Sequence, residues 1–224
     1  METLKARFGA EAGGSGGDMG RTPRARILLA SRSPRRRELL QSHGYDFRVA
    51  QTGVDDGLLH TDDRDAVSWV MSLAFLKAAA ALAKHADEDW ATLVLGADTV
   101  CVVDGVMFGQ PRDQHDAGRM IETMTGREHE VLTGVALVCP KTRRRELFVD
   151  RAVVHVGDVT SSMRDEYLAT GLWRGKAGAY NLGERIDAGW PIEYEGDPTS
   201  IMGLPMATLA ARIEDFLAAA SDAA

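Results

Sequence analysis

The sequence predicts an α/β domain built on a mixed sheet, and three observations carry this. Apolar runs of strand length alternate with helix-length patterns over the first hundred residues. Two longer strand-like runs, 129–139 and 146–157, then follow each other with only Pro140–Arg145 between them, which favours direct strand pairing. And 224 residues with 45% apolar and 26% charged content suffice for one sizeable domain with its own core.

Each element has a local reason. Residues 26–31, "RILLAS", form a short buried strand. Ser33 is an N-cap, Pro34 suits the first helical position, and Glu38, Leu39 and Leu40 carry a helix to about His43, where Gly44 stops it. Asp46–Ala50 is a second strand and 51–63 a polar loop. From Asp65 to His85 the apolar residues Val67, Val70, Met71, Ala74 and Ala78 recur at helical spacing. Thr92–Leu95 and Val100–Val103 are apolar runs that flank Gly96-Ala97-Asp98-Thr99, and Asp104-Gly105 signals a hairpin turn. Asp113–Met124 is helical, Thr160 caps a helix to about Ala169, and 204–219 form a closing helix. Gly171–Gly196, rich in Gly and Trp, reads as mostly irregular.

Residues 1–24 are set apart as a disordered tail, leaving 25–224 as the domain. The tail holds six glycines between Gly9 and Gly20 and too few apolar residues to offset chain entropy. Its Gly13-Gly14-Ser15-Gly16-Gly17 matches a nucleophile-elbow pattern but lacks the strand and helix that pattern needs. A net charge of −7 gives no footprint for nucleic acid. No apolar run approaches the length of a membrane span, and the N-terminus lacks a signal-peptide core. Cys101 and Cys139 lie in apolar runs and read as buried, reduced thiols, with the cytoplasm as the expected compartment.

Five features bear on chemistry. Arg35, Arg36 and Arg37 stand in the first turn of a helix, where cations oppose the helix dipole. They form either a solvated basic patch or an anion site using the helix N-terminus and bidentate guanidiniums. Asp98 sits between two apolar runs and is either a turn aspartate or a carboxylate that is paired, metal-bound or catalytic. Lys77, inside an apolar helix, either snorkels to the surface or points into a cleft. Asp55-Asp56 are either solvated loop acids or Mg²⁺ ligands beside phosphates. Lys176 lies in a small-residue stretch that is either a mobile loop or a close-approach surface for a ligand.

Taken together these segments resemble the Maf family of nucleotide pyrophosphatases. "LLASRSPRRRELL", "LAFLKA", "LGADTV", "QPRD", "GKAGAY" and "MGLPM" occur in the family's order over about residues 26–219. The resemblance implies a twisted mixed sheet in two lobes around a central cleft, similar to inosine triphosphate pyrophosphatases. It also implies hydrolysis of a nucleoside triphosphate to the monophosphate and pyrophosphate with a divalent cation, Mg²⁺ or Mn²⁺. Arg35, where a sister branch acting on 7-methyl-GTP carries tryptophan, points to the branch acting on dTTP, UTP and modified pyrimidine nucleotides.

Carried over by position, Ser33, Arg35 and Arg36 would bind phosphates, with Ser31 beside them. Asp98 would be the general base or a metal ligand, with Asp56 a second metal ligand. Lys77 would offset charge on phosphate oxygens, Thr99 would help select the base, and Lys176 would belong to the same cleft. A homodimer is common in the family.

Three positions depart from the family pattern. Asp56 replaces Glu, Gln110 replaces Lys, and Asn181-Leu182-Gly183-Glu184 replaces G-I-Q-G, which removes the glutamine thought to read the base. Asn181 would supply an amide in its stead. The alternatives left by these departures are a purine-directed enzyme, or a catalytically weak nucleotide-binding regulator of cell division.

Overall fold

Strand β1 (Arg26–Ala30) buries every residue but its first, because it lies between two parallel neighbours, β2 (Asp46–Val49) and β3 (Leu93–Val103). Strands buried on both faces read as continuous apolar runs rather than alternating ones, and "ILLA" does so. The computed structural model describes residues 25–54, 65–85 and 90–221; the proposed tail and Asp55-Asp56 fall outside them.

The described residues form a seven-stranded sheet in the order β2-β1-β3-β5-β6-β7, with β4 (Val106–Phe108) paired to the end of β3. Strands β5 (Arg127–Val138), β6 (Arg145–Val156) and β7 (Ile192–Glu195) are antiparallel. The expected hairpin is present: β3 turns into β4 at Asp104-Gly105, both with positive φ.

β3 governs the layout. β5 pairs with one edge of it from Val94 to Val102. On the other edge β1 covers only Leu93–Gly96 and β4 only Cys101–Val103. Ala97–Val100 therefore lies at a break in that edge of the sheet.

Helix α2 (Ala66–Lys84) packs on one face of β3 and β5. A Cβ on Gly96 would stand 2.1 Å from the Ala74 carbonyl oxygen, and one on Gly134 would stand 2.5 Å from the Val70 backbone. The two glycines therefore let the helix backbone touch the sheet. The opposite face carries α1 (Pro34–Ser42) and α7 (Met206–Ser221) at one end, around Leu29, Leu95 and Leu137. At the other end it carries α3 (Gln114–Met124) and α4 (Ser161–Thr170), around Cys101 and Val103.

Three expectations are corrected. Gly96–Thr99 does not separate two apolar runs but is the middle of one eleven-residue strand. Residues 171–196 are not mostly irregular. They contain a 3₁₀ turn (Ala177–Ala179), α5 (Leu182–Asp187) and β7, followed by α6 (Pro198–Ile201). And α2, nineteen residues, is long and apolar enough to cross a membrane, against the expectation that no apolar run approaches that length. Its place here is against the sheet. Cys101 and Cys139 are free and buried, as expected.

Candidate active site

The break in the edge of β3 opens into a cleft of about 950 Å³ that is lined from β3, α1, α3 and the 175–181 segment. Successive strand residues face opposite sides of the sheet, so Asp98 faces α2 and Thr99 faces α1. Asp98 is buried. Its Oδ1 accepts a 2.6 Å bond from Lys77 Nζ, and the two side chains are 8% and 12% exposed. The contact follows from the packing at Gly96, because Lys77 lies between Ala74 and Ala78, the helix residues that touch that glycine. Lys77 thus points into the cleft, and Asp98 is paired.

Thr99 begins a chain of hydroxyl bonds with one direction. Thr133 Oγ1 donates to the Ser200 carbonyl at 2.9 Å. Its single proton used there, Thr133 can only accept from Thr99 at 2.9 Å. Thr99 in turn accepts from Arg36 Nη2 at 3.1 Å. Its hydroxyl can therefore offer the cleft only a lone pair.

Helix α1 brings its arginines to the opposite wall. Arg36 is buried and donates from Nε to the Gly203 carbonyl at 2.9 Å and from Nη1 to Ser31 Oγ at 3.1 Å. A Cβ on Gly203 would meet Arg36 Nε at 3.2 Å, so the glycine clears this approach. Ser33 occupies the N-cap but makes no side-chain capping bond; Ser31 Oγ instead accepts from the Ser33 N–H at 3.2 Å. Arg35 reaches across to the Gly175 carbonyl at 3.0 Å. Burial lowers its pKa, opposed by Glu184 and Glu38.

The remaining expected residues are placed differently from one another. Asn181 lines the cleft, but its Oδ1 caps α5 by accepting the Glu184 N–H at 3.0 Å. Lys176 is buried against Glu184 beside the cleft rather than in its lining, and burial lowers its pKa against the pull of that carboxylate. Asp56 lies outside the described residues.

Sequence reasoning named Gln110 on the far wall but missed the charged cluster beside it. Arg112, Asp116 and Arg119 line the cleft with Gln110, and Asp116 bonds both arginines. Their i,i+4 and i,i+3 spacing was the available signal.

Among the described residues no three His, Cys, Asp or Glu side chains gather as a metal cage. Mg²⁺ needs none where one or two carboxylates act together with a ligand's phosphates. Asp98 fits that shared mode.

These features define an α/β protein whose broken sheet edge frames a cation-lined cleft with a buried acid–lysine pair. Such a cleft suits a phosphorylated ligand. The chain belongs to the Maf-like protein family, whose model matches residues 26–216. It is 37% identical over 194 residues to a dTTP/UTP pyrophosphatase of Pelotomaculum thermopropionicum, covering 85% of this chain and 96% of that relative. It is 38% identical over 182 residues to a dTTP/UTP pyrophosphatase of Symbiobacterium thermophilum, covering 80% and 88%. A third dTTP/UTP pyrophosphatase, from Caldanaerobacter subterraneus subsp. tengcongensis, is 33% identical over 184 residues, covering 82% and 86%.

Proposed function

We propose that this chain hydrolyses a nucleoside triphosphate, dTTP or UTP, to the monophosphate and pyrophosphate. Family membership and the relatives' names support the reading. The observation that carries it is the Lys77–Asp98 pair set at the break in the sheet, lining the same cleft as the N-terminus of α1.

The phosphates lie against Ser31, Ser33, Arg35 and Arg36. Asp98 takes a proton from a water that attacks the α-phosphorus. The new bond joins that water's oxygen to the α-phosphorus, and the bond that breaks releases pyrophosphate. Lys77 steadies the charge that builds on the phosphate oxygens, the kind of preorganised electrostatic help this chemistry uses most. A divalent cation, Mg²⁺ or Mn²⁺, held by Asp98 and the phosphates, would draw further charge off the reacting group. Thr99 presents its lone pair to a donor on the nucleoside.

The sheet break between two helix groups supports the two-lobed likeness to inosine triphosphate pyrophosphatases. We place the catalytic unit in residues 25–224, with 1–24 outside it. The reading needs neither nucleic acid nor membrane. Buried free thiols accord with work in the cytoplasm.

The test is product release from dTTP, UTP, 5-methyl-UTP, CTP, GTP, 7-methyl-GTP and ITP with Mg²⁺ or Mn²⁺, beside Asp98→Asn. Pyrophosphate from dTTP or UTP, lost in the variant, is expected. Orthophosphate as the only product overturns the assignment.

A further inference from the structure

We propose that Arg112 and Arg119, aimed by the buried carboxylate of Asp116, form a second anion site on the far wall of the cleft that takes the pyrophosphate end of the substrate. This rests on the pyrophosphatase reading for its ligand, but not for its geometry.

The arrangement is unusual in its exposure. The Asp116 side chain is 6% exposed, while those of Arg112 and Arg119 are 83% and 56% exposed. Surface ion pairs ordinarily leave both partners wet. Here the acid has left water and the cations have not. Burying a carboxylate is costly unless it is fully bonded, and Asp116 is. Its Oδ2 accepts from the Arg112 backbone N–H at 3.1 Å and from Arg112 Nε at 3.3 Å. Its Oδ1 accepts from Arg119 Nη2 at 2.7 Å.

Burial alone would raise the pKa of Asp116. The bonds from Arg119 and Arg112 outweigh it and hold the group at about 2, so the carboxylate stays charged at any working pH. The Asp116 N–H bonds Asp113 Oδ1 at 2.8 Å, which pins the residue in the first turn of α3.

Each guanidinium carries several N–H donors, and Asp116 takes one side-chain donor from each. On the other side of the cleft Arg32 is exposed, while the remaining cations there are bonded to the protein itself. Arg36 is tied to Gly203, Ser31 and Thr99, Lys77 to Asp98, and Arg35 to Gly175. The exposed cations on the α3 wall, held in place by Asp116, are thus placed, as Arg32 is on the other side, to meet an incoming anion. Gln110 beside them is neutral. A triphosphate held at α1 would share its outer phosphates between that wall and the α3 wall of the same cleft, and pyrophosphate is the group with the most charge to neutralise. Planar guanidiniums bind such oxygens bidentately.

The experiment is calorimetric binding of inorganic pyrophosphate and of UMP to the full chain, without added divalent cation so that the arginines alone are read. The proteins are wild type, Arg112→Gln, Arg119→Gln, Arg119→Lys and Asp116→Asn. Each Gln variant should weaken pyrophosphate about ten- to hundredfold, the loss of a charge-assisted bond, while UMP changes less than twofold. Arg119→Lys should recover part of the loss. Asp116→Asn should weaken pyrophosphate by way of both arginines, so adding Arg119→Gln to it costs less than Arg119→Gln alone.

Pyrophosphate binding within twofold of wild type in both Gln variants overturns the inference. So does equal loss of pyrophosphate and UMP, which would mark a general structural effect. Catalysis is scored separately. A protein that binds pyrophosphate through Arg119 but turns over no nucleotide keeps the anion site and loses the pyrophosphatase reading; turnover with indifferent arginines does the reverse.

Discussion

Replacing Gly96 by Ala should damage catalysis through packing alone, with no catalytic group touched. The added Cβ would lie 2.1 Å from the Ala74 carbonyl oxygen and 3.0 Å from the Ala78 N–H nitrogen. Carbon and oxygen do not approach below 3.0 Å, so α2 must withdraw by about 0.9 Å. Side-chain movement cannot absorb this, because the nearest atoms are backbone. Lys77 lies on the turn that moves, so its 2.6 Å bond to Asp98 would be stretched by the withdrawal. A misplacement of about 1 Å costs on the order of 100-fold in rate, or about 2.7 kcal/mol of barrier. Overpacking should also cost about 1–3 kcal/mol of stability. The assays are kcat for pyrophosphate release and urea unfolding of the same protein. A Gly96→Ala enzyme with kcat within twofold of wild type would refute the reasoning, for it would mean that the Lys77–Asp98 geometry does not depend on close approach of α2.

Lys77→Met should lower kcat by about 100-fold or more through loss of charge stabilisation, and destabilise by about 3–5 kcal/mol because the buried Asp98 loses its lysine; steady-state kinetics and denaturant titration read both. His129 is buried beside the Tyr180 hydroxyl, with its pKa lowered to about 4 by desolvation. The unfolded chain therefore takes up this proton near pH 6.5 while the folded chain resists until about pH 4, so stability falls as pH drops through that window, by up to ~3 kcal/mol. A His129→Gln variant should show a correspondingly flatter stability profile between pH 7 and 4. Gln110→Lys adds a cation to the cleft wall and should raise kcat/KM about tenfold, the worth of a modest charge-assisted bond; an unchanged value would show that residue 110 does not meet the phosphates.

Local chemistry made much of the fold legible. Asp65, Asp113 and Thr160 each accept a backbone N–H at a helix start, and capping needs only a few consecutive residues. Gly96-Ala97-Asp98 misled because Gly and Asp are poor strand formers. What overrides that preference is α2: only a residue without a Cβ lets the helix backbone rest on β3. The segment 171–196 hid its order for another reason. α5 and β7 span six and four residues, too few for a periodic signal. They exist because Asn181 caps one and β6 pairs with the other. α2 was underestimated as an apolar run because Ser68, Ser72 and Lys77 interrupt it in sequence, while its overall length and composition still suffice to span a bilayer.

By itself the sequence determined the order of most strands and helices, the arginines at a helix start, the acid in an apolar stretch, and the family pattern that ties these together. All of these are properties of neighbouring residues or of their order along the chain. Only the tertiary structure decided who meets whom. Lys77 and Asp98 are 21 positions apart, and Arg36 and Gly203 are 167 apart. Such contacts depend on strand register and helix depth, which have no period to read. The burial of Asp116 between two exposed arginines, and the gap along β3 where β1 ends and β4 has not begun, belong to the same class. They arise from how whole surfaces pack, and a packed surface is assembled from residues that are distant in sequence.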